Sequence, residues 1–105
     1  PDGQASGHGH AAELASAHTT MPGMATWDEI NTLAGLQGRE AETYFLQLMI
    51  RHHKGGVDMA TAAVQMQPSP AVERMARAMV RDQTKELGYM NLLLQQREAQ
   101  ALPYP

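Results

Sequence analysis

QPSP, residues 67–70, decides the fold. Pro68 cannot continue a helix that precedes it, Ser69 is an N-capping residue, and Pro70 suits the first turn of a new helix. These four residues end one helix and begin another. Upstream, Phe45, Leu48, Met49, His52, Gly56, Met59, Ala60, Ala63 and Met66 recur at spacings of three and four, which predicts one helix over about 39–66 with a single buried stripe. At 1.5 Å per residue it is about 40 Å long. Downstream, Val72, Met75, Ala76, Met79, Gln83, Glu86, Leu87, Met90 and Leu94 predict a second helix reaching about Ala99, where Leu-Pro-Tyr-Pro cannot continue it. Two such helices joined by so short a connection lie antiparallel, side by side. Counting outward from the turn sets residue 53 opposite 83 and 59 opposite 77. The adjacent His52 and His53 therefore come level with Gln83 to Glu86.

Gly55-Gly56 sits inside the first long run, where each glycine costs about 1 kcal/mol relative to alanine. A pair there predicts a bend or the close approach of a neighbouring helix. Further upstream, Thr26 with Glu29 three residues later reads as a capping box. Ile30, Leu33 and Ala34 extend a short third helix until Gly35 to Gly38 stop it. Residues 1–25, rich in Gly, Ala, Ser and His, offer little to bury, so they are expected to be a flexible N-terminal segment ahead of a helical domain over 26–100. The fold class is all-α, two long helices in a hairpin plus one short helix. That arrangement leaves an apolar side uncovered, and Leu92, Leu93 and Leu94 cannot all face one partner, so a homo-oligomer is expected, a symmetric dimer first.

The totals narrow the function. The 105 residues allow one domain. A formal charge of −3 without a basic run argues against nucleic acid as partner. No window is apolar for long enough to span a membrane, and a chain beginning at Pro leaves open a mature form trimmed from a precursor. With no cysteine, disulfides and thiolate metal sites are excluded. Eight methionines against one Phe and one Trp put thioethers in place of larger apolar groups, as core filler or as ligands for a soft metal ion.

At the middle of the hairpin, Met49 lies one helical turn from both His52 and His53, while Gln83, Glu86 and Met90 follow one another at turn spacing on the second helix. Imidazole with thioether suits copper in either oxidation state, Cu(I) or Cu(II), and Glu86 suits the role of orienting an imidazole. Met59 is about 10 Å along the axis from His52, too far to share one ion directly. The plainer reading keeps the histidines as hydrogen-bonded helix residues, with Gln83 satisfying one of them and Met75 and Met79 packed in the core. A di-iron bundle would need Glu-x-x-His repeats, yet Met49 and Ile50 stand three before the histidines. There is no HExxH, no serine near the histidines on the helices, and no phosphate loop at Gly35 to Gly38. His8, His10, His18, Met21 and Met24 form a second, N-terminal string of soft ligands, and Met21-Pro-Gly-Met24 is placed to fold back onto the bundle.

The stretch Glu42-x-x-Phe45-x-x-x-Met49-Ile50-x-His52-His53-x-x-Gly56-x-x-Met59-Ala60, followed by Ala76, Gln83-x-x-Glu86 and Met90, resembles the signature of the DUF305 family, as does the Met-Pro-Gly-Met lead-in. The resemblance covers about residues 21–95. It departs at Glu42, where Asp is more usual, and at Gly56, where Ala is common. It implies a ferritin-like antiparallel helical bundle, exported to the periplasm or cell surface, that handles copper in storage, resistance or homeostasis. By position it implies His52, His53, Met49, Met59, Gln83, Glu86 and Met90 as metal ligands, with Met21 and Met24 as weaker candidates. A binding protein without turnover is the leading expectation. A structural or assembly module and a small metal-dependent enzyme are the alternatives.

Overall fold

The computed structural model describes residues 22–105. Three helices follow in order: α1 (Trp27–Ala34), α2 (Gly38–Gln65) and α3 (Pro70–Gln96). The Thr26 hydroxyl accepts from the Glu29 amide at 3.0 Å, and the Glu29 carboxylate accepts from the Thr26 amide at 2.9 Å, so the capping box forms as read. At the hairpin, Gln67 takes the left-handed conformation (φ 57°) that ends α2, and the Ser69 hydroxyl caps α3 by accepting from the Val72 amide at 3.4 Å. Pro70 then begins the helix.

α3 stops at Gln96, short of the expected Ala99. Glu98 turns left-handed (φ 54°), and the Ala99 amide donates back to the Leu94 carbonyl at 3.3 Å. The chain thereby doubles back, and Ala99 joins the core instead of a last helical turn. The tail runs on along α2: the Gln47 side-chain Nε2 donates to the Gln100 carbonyl at 2.8 Å, and the Tyr104 hydroxyl donates to Asp58 at 2.5 Å. That bond holds the Tyr104 hydroxyl above its usual range of ionisation.

The core lies toward the end of the hairpin remote from the turn. Leu46, Ile50 and Leu94 form it, with Leu87, Met90, Leu93 and Ala99 packed around them. Leu48, Ala60 and Ala76 are the other buried apolar side chains. The expected α2 stripe therefore has the right period on a shifted face. Leu46 and Ile50 are inside, whereas Phe45, Met59 and Met66 are exposed. The reason is that α2 is wrapped from several sides at this end, by α3, α1 and the returning tail, so no single stripe is its inner face. Met75 and Met79, read as core residues, are exposed as well. Among the described residues, α2 and α3 bury only Ala60 and Ala76 near the turn, and no third helix packs over the larger side chains there.

Gly55-Gly56 makes no break, for α2 runs through it. The close approach exists, at Gly55 from a turn and at Gly56 from a side chain of the neighbouring helix α3. A Cβ on Gly55 would strike the Pro22 carbonyl, and a Cβ on Gly23 (φ 87°) would lie 2.6 Å from the Arg51 carbonyl. A Cβ on Gly56 would meet the Gln83 side chain. The Pro22-Gly23 turn thus lies directly on α2. One helical turn away, Arg51 clamps α1 to α2 by a two-pronged ion pair with Glu29, one arm at 3.0 Å. The Arg51 hydrogen bond is the main cause that lowers the Glu29 carboxyl below its usual value, joined by the Thr26 amide against a partial desolvation cost.

Candidate functional site

His53 is the one candidate whose surroundings are fully specified. Its position on α2 faces α3, where helical spacing from Gln83 delivers Glu86 one turn further along. The Nδ1 of His53 donates to the Met49 carbonyl at 3.0 Å, four residues back on its own helix. Its Nε2 lies 2.6 Å from Glu86 Oε1 across the hairpin. A hydrogen bond between that nitrogen and that oxygen requires a proton shared by them, because a bare imidazole nitrogen and a carboxylate both only accept. The backbone bond fixes the ring and leaves Nε2 as the atom presented to whatever occupies the interhelical space. The His53 side chain is 13% exposed and that of Glu86 61%, so the pair has one foot inside the hairpin and one in solvent.

Gln83 completes this level. Its amide lies over Gly56, one turn from His53, so an imidazole, a carboxylate and an amide sit together where counting from the turn put them. Met49 contributes through its carbonyl, and its side chain is half-buried. The remaining candidates are elsewhere. His52 is exposed, its ring centre 6.4 Å from that of His53 at an interplanar angle of 62°. Met59 points to solvent, and Met90 packs against the Leu46, Ile50 and Leu94 cluster. Met24 is exposed just past the docked Gly23, and Met21, like His8, His10 and His18, lies outside the described residues.

Among the described residues no group of three or more His, Asp or Glu side chains is placed to hold a metal ion. The donors at the His53 level are one imidazole and one carboxylate, with the Gln83 amide beside them. Two oxygen and nitrogen donors that share a proton can separate slightly and bind a cation in its place, with proton release. Sequence reasoning missed the Arg51–Glu29 clamp one turn away, although Glu29 was already singled out as a cap. The signal was present in Arg51, a cation with no acidic residue three or four positions away on its own helix.

Comparison with known proteins gives the site a family. The model of a domain of unknown function, DUF305, matches residues 2–94. A DUF305 protein from Streptomyces coelicolor, described as secreted, has a crystal structure similar to this chain, with a TM-score of 0.75 and 44% identity, covering 79% of this chain and 51% of that one. A DUF305 fragment from Deinococcus radiodurans gives a TM-score of 0.65 at 35% identity, covering 91% of this chain and 57% of that one. The chain spans about half the length of these solved relatives. No curated protein matches it. The family model spans most of the chain, and two solved members share its fold: the chain belongs to the DUF305 family.

Proposed function

We propose that this chain is an extracytoplasmic metal-binding protein, with copper as its ion, and that His53 Nε2 is the principal ligand atom. The observation that carries the reading is the fixed tautomer: Nδ1 is held by the Met49 carbonyl while Nε2 faces Glu86 across the hairpin. Protein ligands to metals are commonly prepared in this way. Copper is preferred because imidazole and thioether are the donors that the chain has in number, with five histidines, eight methionines and no cysteine. Glu86 and Gln83 then serve as a further ligand or as partners that hold the imidazole, and His52, Met49, Met59 and Met90 are ligands only if their side chains turn toward that level. The described secretion of the Streptomyces coelicolor relative supports a place outside the cytoplasm, and no helix among the described residues is long and apolar enough to cross a membrane. A ferritin-like bundle is the finer fold proposed, and storage or delivery of copper is the proposed role.

A second reading has its own observation. The 2.6 Å contact ties α2 to α3 without any metal, so the pair also serves as a structural clamp. A copper titration against a competing chelator separates the two, using the full chain with His8, His10 and His18 replaced by alanine. Uptake near one ion per chain, lost in His53→Ala and weakened in Glu86→Gln with helicity retained, is the expected result. Uptake indifferent to both substitutions, or none at all, leaves the clamp as the role of the pair.

A further inference from the structure

Two rows of side chains run the length of one face of the hairpin that the described residues leave open, each with a seven-residue repeat: Phe45, His52, Met59 and Met66 on α2, and Val72, Met79, Glu86 and Leu93 on α3. The antiparallel register pairs them as rungs, Phe45 with Leu93, His52 with Glu86, Met59 with Met79 and Met66 with Val72. Two observations anchor that register. Phe45 and Leu93 line one groove of about 420 Å³ together, and His53, beside His52, meets Glu86. Three rungs are apolar and one is polar. Met66 is 78% exposed, Met59 63%, and Phe45, Val72 and Met79 a little under half.

We infer that this face is the contact surface between two copies of the chain. The five exposed apolar side chains offer on the order of 500 Å² per copy, so two copies facing each other remove about the 1,000 Å² that marks a specific interface, before His52 and Glu86 are counted. The face is also its own complement. A two-fold axis at the polar rung sets His52 of one copy against Glu86 of the partner subunit, and the reverse, while Met, Val and Phe meet side chains of the same kind. A single polar layer among apolar ones fixes register and orientation in helical assemblies. Neither row carries a Lys or Arg that would oppose its own copy.

Sedimentation equilibrium of the full chain, kept metal-free with a chelator, tests this separately from copper binding. The expected result is a monomer–dimer equilibrium in which Met59→Glu with Met79→Glu gives monomer at unchanged helicity. His52→Glu, which sets carboxylates against carboxylates, weakens dimerisation tenfold or more. Trp27→Glu, exposed on α1 outside both rows, leaves it unchanged. A chain that stays monomeric up to its solubility limit overturns the inference, as does a dimer indifferent to the double methionine substitution.

Discussion

The two ends of the hairpin are built differently. At the end away from the turn, α2 is enclosed by α3, α1, the Pro22-Gly23 turn and the returning tail, and it buries leucine and isoleucine. At the turn end, among the described residues, the tail reaches no further along α2 than Asp58, and beyond it α2 and α3 have only each other, bury Ala60 and Ala76, and leave their methionines in solvent. The same period of apolar residues runs through both ends. What differs is how many elements arrive to cover it, and the His53–Glu86 pair lies where one regime gives way to the other.

The largest effect that exposes this difference is expected at Ile50, which has no exposed surface. Ile50→Ala should cost about 2–5 kcal/mol, the range for truncating a buried aliphatic side chain, as read by urea unfolding. Next come the backbone contacts. Helix propensity alone says that an alanine at Gly55 stabilises α2, but a Cβ there meets the Pro22 carbonyl, so Gly55→Ala should destabilise by about 1–3 kcal/mol. Gly88→Ala is the matched control. It is helical and its Cβ would meet nothing, so it should stabilise by about 0.5–1 kcal/mol. A gain at Gly55 like that at Gly88 would mean that the Pro22-Gly23 turn does not lie on α2 in solution.

The Arg51–Glu29 clamp gives the pH dependence. Because the folded state holds the Glu29 carboxyl below its usual 4.5, its contribution is present above that value and is lost as pH falls through the lowered one. Glu29→Gln should therefore lower stability by about 1 kcal/mol near neutrality, and the difference from the parent chain should shrink in acid. Thermal unfolding at several pH values measures it. The smallest effect belongs to the turn end: Met66→Ala, at a side chain mostly in solvent, should change the stability of the isolated chain by less than about 0.5 kcal/mol.

These contrasts explain what could be read from residues alone. The hairpin was legible because QPSP marks both helix boundaries locally, and the level of His53 with Gln83 and Glu86 follows from counting along two rigid helices. The Thr26–Glu29 cap was legible for the same reason, since its partners are three residues apart. Gly23 on Gly55 was not, because the contact joins two backbones 32 positions apart and no side-chain pattern marks it. Tyr104 on Asp58 was hidden likewise, since Pro103 and Pro105 announce only that a helix ends, not where the chain goes next. Which methionines are buried depends on how many neighbours reach each end, and periodicity does not contain that number. At the site, His53 and His52 are adjacent in sequence and opposite in circumstance, one bonded at both nitrogens and the other exposed.

The most direct test of the functional account is the imidazole nitrogen spectrum of the full chain, labelled with 15N, before and after addition of diamagnetic Cu(I). The account predicts that His53 keeps its Nδ1 proton throughout and that its Nε2 resonance moves on saturation at one ion per chain. Unchanged His53 nitrogens while copper is taken up elsewhere would contradict it, and would leave the His53–Glu86 pair as a clamp between α2 and α3.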